Sequence, residues 1–303
     1  MKRLCIWEIT SQCNEMCKMC NIRNRTNMED ELFRTKSEIE FAINFMKEKQ
    51  VTDVYVQGGE PLIHPEIKTI LECLSIEGFN VRVISNAIKL DENIIDFLIE
   101  KKIGLTVSLD TLDEDVYNLI RGKDVFSLIY NNLIKIKKKD ISSLYWGIHS
   151  VITNHNINEI MSIKKFAQEL GMVYSAFPLI DSVGIAGTAD KQMKNNEASV
   201  VQILEQLYNE EKDEISQEEY KVAIQCVKGI MNEPCDGFKY SFVLDECGNI
   251  KPCIERNAVC NIFKEDIDAI TVFNDEADIK CKYYHKCFYG GARTYGIIKR
   301  KNG

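Results

Sequence analysis

Between Leu4 and Phe177 the sequence repeats one pattern six times: a short run of β-branched and apolar residues, then a longer segment whose apolar residues return at helical spacing. This is the pattern of βα units around a parallel sheet. Strands are expected at Leu4 to Ile9, Asp53 to Gln57, Val81 to Ser85, Leu105 to Leu109, Tyr145 to Ile152 and Val173 to Phe177. Between them, Ile39, Ile43 and Met46, then Ile67, Ile70, Leu71 and Leu74, then Ile160, Ile163, Phe166 and Ala167 fall on helical faces that would coat the sheet. Asp91, placed just before Ile94, Ile95 and Leu98, is expected to cap a helix. Right-handed crossovers would curl the six units into an α/β fold, a partial (βα)6 barrel of TIM type.

Beyond Pro178 the regularity stops. Gly184, Gly187 and a polar stretch through Asn196 read as a loop, and two acidic amphipathic segments follow, Ala198 to Tyr208 and Gln217 to Ile230. From Pro234 the chain is dense in Cys and aromatic residues, a short piece that needs a metal to hold it together. The expected division is therefore a core over 1–196, a helical bridge over 197–232 and a small Cys-rich domain over 233–303. With 38 basic and 46 acidic side chains the formal charge is −8, which argues against a nucleic-acid partner. No apolar stretch is long enough to span a bilayer, and the residues from Met1 read into a strand rather than a signal peptide, so the cytosol is the expected compartment.

Twelve cysteines in a reducing compartment point to soft metals rather than disulfides. Cys13, Cys17 and Cys20 lie together after the first strand, at the face where parallel βα architectures place their chemistry. Six more lie between Cys235 and Cys287. Spacings of three and two residues let one loop serve three irons of a cubane cluster and leave the fourth without a thiolate, a defect for an electron carrier and an asset for catalysis. A zinc site lacking one ligand, or unrelated buried thiols, is the alternative.

A Cys-x-x-x-Cys-x-x-Cys run at the end of a first strand, opening a series of βα units, resembles the radical S-adenosylmethionine (radical SAM) superfamily. Gly58-Gly59-Glu60-Pro61 after strand two, Ser85-Asn86 after strand three, and Ser108-Leu109-Asp110 with Arg121-Gly122 after strand four extend the likeness along most of the chain. Two departures stand out: Met19 occupies a position that is usually aromatic, and Ala87 one that is often Gly. The resemblance implies a [4Fe-4S] cluster with an open iron site on Cys13, Cys17 and Cys20, to which S-adenosylmethionine binds before reductive cleavage to a 5′-deoxyadenosyl radical. It also implies roles around that cofactor: Glu60 for the ammonium, with Gly58 and Gly59 admitting close approach, Arg121 and Ser108 for the carboxylate, Ser85 and Asn86 for the ribose.

Cys235, Gly248-Asn249-Ile250-Lys251-Pro252-Cys253, and Cys281 with Cys287 before Gly290-Gly291 resemble the auxiliary-cluster domains called SPASM and twitch. Asp278 and Gly291 stand where a two-cluster domain would carry further cysteines, so one auxiliary [4Fe-4S] cluster is expected, on Cys235, Cys253, Cys281 and Cys287, with Cys247 or Cys260 as substitutes and zinc on the same thiolates as the alternative. Cys226, Cys247 and Cys260 are candidate hydrogen-atom donors to a substrate radical, against a plainer role in packing. The histidines show no metal spacing and receive no role.

Three functions are compatible with these residues. One is epimerisation or crosslinking of a peptide during ribosomal peptide maturation, although the chain shows no separate leader-peptide-binding domain before the barrel. Another is radical oxidation or epimerisation of a small molecule such as a sugar alcohol. The third is a non-catalytic iron-sulfur electron carrier or redox-responsive binding protein. Either enzyme needs an external electron donor such as flavodoxin or ferredoxin.

Overall fold

The computed structural model describes residues 3–20, 31–179, 193, 195–232, 237–254 and 256–266. All six expected strands form, within two residues of their expected limits: β1 Arg3–Glu8, β2 Val51–Gln57, β3 Asn80–Ser85, β4 Gly104–Ser108, β5 Trp146–Ile152 and β6 Val173–Pro178. They lie side by side in chain order and every neighbouring pair is parallel. Helices α1 Lys36–Glu48, α2 Ile67–Ile76, α3 Glu92–Glu100 and α6 Ile160–Glu169 make crossovers, and between β4 and β5 there are two, α4 Glu114–Arg121 and α5 Phe126–Ile136. The expected cap is present, the Asp91 carboxylate accepting from the Ile94 N–H at 2.9 Å. Asp91→Ala should therefore cost about 1 kcal/mol of stability. A lower denaturant midpoint at unchanged slope would register it; an unmoved midpoint would show that the cap contributes nothing.

Alternation along the strands separates the two faces of the sheet. Val54 and Val56, Val81 and Val83, Leu105 and Val107, and Ile148 and Ile152 are buried in one continuous core with Ile39, Ile43, Leu71, Leu98 and Ile163 from the helices. Tyr55, Arg82, Thr106, Ser108, His149, Ser175 and Phe177 occupy the other face and are only half-buried. That second face is polar at its C-terminal end, where the strands run out toward the cysteine loop.

Past β6, helices α7 Glu197–Glu210 and α8 Glu214–Val227 fulfil the two amphipathic segments, and the Tyr220 hydroxyl ties α8 to the sheet by donating to the Tyr174 carbonyl (3.3 Å). The chain then makes β7 Ser241–Leu244, β8 Asn249–Lys251 and β9 Cys260–Asn261. β7 pairs parallel with the far side of β1, and β8 and β9 follow antiparallel, giving one nine-stranded sheet in the order β6-β5-β4-β3-β2-β1-β7-β8-β9. Thus the described part of 233–303, read from sequence as a small domain, continues the sheet of the core. Leu4, Ile6 and Val243 close a second apolar cluster across the joint. Among the described residues no helix is long and apolar enough to cross a membrane.

Candidate active site

The cysteine loop leaves β1 at Glu8 and is anchored at its root by a buried acid. Glu31 accepts from the Thr10 hydroxyl (2.8 Å), the Ser11 N–H (2.7 Å) and the Ser11 hydroxyl (2.6 Å), and pairs with Arg34 at 3.0 Å. Burial alone would push its carboxyl up, but the bonds from Ser11 and Thr10 outweigh burial and hold it below the usual range. The middle of the loop lies on Gly58 and Gly59. The Gly59 N–H donates to the Thr10 carbonyl (2.7 Å) and the Glu60 N–H to the Gln12 carbonyl (2.8 Å). A Cβ on Gly59 would stand 1.9 Å from the Gln12 carbonyl oxygen, and one on Gly58 2.2 Å from that of Thr10. Close approach is thus the reason for both glycines, and the partner that approaches is the loop's own backbone.

The two glycines aim Glu60 into the interior, where it is 1% exposed. Its Oε1 accepts from the Leu62 N–H (2.9 Å) and the Ser85 hydroxyl (2.8 Å), and Oε2 from the Asn86 N–H (2.7 Å). A carboxylate offers about four acceptor positions, so one on Oε2 is left. Burial pushes this carboxyl up to about 7 despite the three bonds that oppose it. A buried carboxylate with an open acceptor position is a receptor for a cation.

Ser85 and Asn86 support this arrangement. Besides its bond to Glu60, the Ser85 hydroxyl accepts from the Ala87 N–H at 2.9 Å. The Asn86 amide donates to Asn14 Oδ1 (2.7 Å) and lies 4.0 Å from the Cys13 sulfur. Ala87 itself sits at φ +63°, in the left-handed region that Gly enters without cost.

Arg121 reaches the loop from the last turn of α4 and is buried. Its Nη2 pairs with Asp110 at 2.7 Å, and its Nη1 lies 3.3 Å from Glu15 Oε2 and 3.8 Å from the Cys17 sulfur. The Tyr117 hydroxyl, one turn earlier on the same helix, donates to the other oxygen of Glu15. Sequence reasoning assigned roles to neither Glu15 nor Tyr117. The i, i+4 spacing of Tyr117 and Arg121 and the acid inside the cysteine run were the available signals. Two buried donors near this loop have no hydrogen-bond partner, Arg121 Nε and Asn14 Nδ2. Unsatisfied buried donors beside Cys13 and Cys17, together with a buried carboxylate that has an open acceptor position, fit a zwitterionic ligand seated on a metal cluster.

Cys13, Cys17 and Cys20 are all partly buried. Burial pushes the Cys13 thiol up to about 11 and the Cys17 thiol higher still, Arg121 opposing the latter shift. Such thiols hold their protons in water and give them up to a metal. Ser108, at the end of β4, stands in register with His149, whose Nδ1 is 2.9 Å from the Ser175 hydroxyl. Burial pulls His149 down to about 4, so it presents a neutral ring beside Arg121 and Asp110. Nothing in the sequence marked it.

Of the expected auxiliary ligands, Cys253 follows β8 and is partly buried, whereas Cys235, Cys281 and Cys287 lie outside the described residues. Cys226 on α8 and Cys260 on β9 are buried among apolar side chains, and Cys247 occupies the turn between β7 and β8. Among the described residues, no three His, Cys, Asp or Glu side chains gather as a single-ion site.

Similarity to known proteins agrees with this geometry. The chain is 23% identical over 297 residues to a probable GTP 3′,8-cyclase of Methanococcus vannielii, covering 92% of this chain and 91% of that one. It is 26% identical over 215 residues to the AdoMet-dependent heme synthase of Methanosarcina barkeri, covering 70% of this chain and 59% of the relative. Among solved structures, Streptococcus suis SuiB bound to its precursor peptide SuiA superposes with a TM-score of 0.71 at 18% identity, over 99% of this chain and 73% of SuiB. A structure of anSMEcpe with bound AdoMet and a peptide gives 0.62 at 17% identity, over 99% and 95% of the two chains. Residues 7–167, more than half of the sequence, match the Radical SAM superfamily: the chain belongs to it, a family of enzymes that use a [4Fe-4S] cluster and S-adenosylmethionine.

Proposed function

We propose that this radical SAM enzyme modifies a peptide, by epimerisation or crosslinking. Cys13, Cys17 and Cys20 hold the cluster, which with S-adenosylmethionine bound supplies a 5′-deoxyadenosyl radical for abstraction of a substrate hydrogen atom. Glu60 takes the methionine ammonium at its remaining acceptor position, and Ser108 with the unpartnered Nε of Arg121 takes the carboxylate. Asn86 borders the ribose, while Ser85 acts through Glu60, whose orientation it fixes. The three donors to Glu60 hold it in place, and the packed glycine turn keeps bulk water from the carboxylate. An auxiliary cluster on Cys235, Cys253, Cys281 and Cys287 serves the 233–303 segment, and flavodoxin or ferredoxin supplies electrons.

The observation that carries the peptide reading is the likeness over 99% of the chain to two proteins whose structures were solved with peptides bound. The neutral, hydroxyl-bearing strip of Ser108, His149 and Ser175 on the half-buried sheet face suits peptide amides. A small-molecule substrate is the second reading, favoured by the GTP 3′,8-cyclase relatives that align over nearly the whole chain.

The test is anaerobic incubation of the reconstituted protein with dithionite and S-adenosylmethionine, alone, with peptides encoded beside its gene, and with GTP. Peptide-dependent 5′-deoxyadenosine with a change in peptide mass or stereochemistry is expected. Turnover stimulated by GTP and by no peptide would replace the first reading with the second.

A further inference from the structure

The residue midway between the first two cluster cysteines is an acid, Glu15, and it is 2% exposed. Its position is fixed from three sides. Tyr117 donates to Oε1, Arg121 Nη1 stands 3.3 Å from Oε2, and the Cys17 thiol donates to Oε2 at 3.4 Å. The backbone holds the same alignment, because the Met16 N–H donates to the Arg121 carbonyl (3.0 Å) and the Lys18 N–H to the Ile120 carbonyl (2.9 Å). Gly122 makes that approach possible: a Cβ there would meet the Met16 carbonyl oxygen at 2.7 Å. When Cys17 exchanges its proton for iron its own bond to the carboxylate is lost, but Tyr117, Arg121 and the two backbone bonds still hold Glu15 beside it.

Among the described residues, the buried charged side chains that border Cys17 are the acids Glu15 and Asp110 and the cation Arg121. Glu15 lies nearer the Cys17 sulfur than Arg121 does, 3.4 Å against 3.8 Å. In a poorly screened interior, a fixed negative charge beside a thiolate opposes the arrival of an electron on the cluster it ligates. We propose that Glu15 is a positioning residue that, acting through Cys17, holds the reduction potential of the amino-terminal cluster low. The inference rests on Cys13, Cys17 and Cys20 holding that cluster.

The test is a potentiometric titration of the reconstituted full chain with dithionite, followed by the EPR signal that the Cys13, Cys17 and Cys20 triple-Ala chain lacks. Glu15→Gln, which removes the charge and keeps the shape, should move the midpoint to a more positive potential, and Glu15→Asp should restore it toward wild type. Arg121→Gln and Tyr117→Phe, which strip the acid of its partners, should move it the opposite way. Opposite signs from neighbouring substitutions are something that mere damage to the loop does not produce. An unmoved midpoint in Glu15→Gln, or a shift with the sign of Arg121→Gln, overturns the proposal. If Glu15→Gln takes up no iron, the Tyr117→Phe shift decides, and a positive or absent shift there overturns it. A wild-type signal that survives the triple substitution overturns instead the cluster assignment beneath it.

Discussion

A chain with Cys13, Cys17 and Cys20 all replaced by Ala is expected to form no 5′-deoxyadenosine from S-adenosylmethionine and yet to keep about four irons after reconstitution. Loss of activity follows because, among the described residues, Cys13, Cys17 and Cys20 are the thiols that the loop after β1 brings beside Asn86 and Arg121. The fold should survive, since the loop is held by Glu31, the Gly59 backbone and the end of α4 rather than by the thiols. A denaturant midpoint close to wild type would confirm that. Retained iron would then report the auxiliary centre alone: about four irons per chain support one cluster on the carboxy-terminal cysteines, about eight reject the count, and none reject the centre.

Gly59→Ala is expected to destabilise the protein by about 1–3 kcal/mol and to lower iron uptake at the amino-terminal site. The added Cβ would lie 1.9 Å from the Gln12 carbonyl oxygen and 2.4 Å from its carbon, and both are backbone atoms with no rotamer to escape into. Relief requires moving the loop off the turn, which breaks the bonds from Gly59 N–H to Thr10 and from Glu60 N–H to Gln12 and shifts Cys13 relative to Asn86. Gly78→Ala is the control. Gly78 has φ +80° but nothing within 4 Å of where the added methyl group would sit, so only backbone strain of about 1 kcal/mol is added and iron content should not change. Equal iron uptake by the two variants would show that the glycine turn does not shape the cluster loop.

Periodicity made the strands and most crossovers legible, because burial on one face of the sheet leaves valines, leucines and isoleucines at regular intervals. Asp91 was legible for a local reason: its carboxylate caps a helix three residues on. The cysteines and Glu60 were legible as a motif. Glu15, Tyr117 and Asp110 were not assigned roles, since their network joins residues 102 and 106 positions apart, and the i, i+4 spacing of Tyr117 and Arg121 shows only one side of it. Ser85 illustrates the converse, a residue identified by motif whose hydroxyl is turned to Glu60 and the Ala87 N–H. β7 escaped notice because four buried residues, Ser241 to Leu244, carry neither alternation nor length. Its partner is fixed only by the space left beside β1.

The pairing of β7 with β1 orders events during synthesis. The strand that launches the cysteine loop is made long before its second neighbour, which arrives only with residues 241–244. Until then β1 offers an open row of amide and carbonyl groups, the kind of edge that invites wrong partners. Firm seating of the cysteine loop is thus expected to wait until residues 241–244 have been made and have paired with β1.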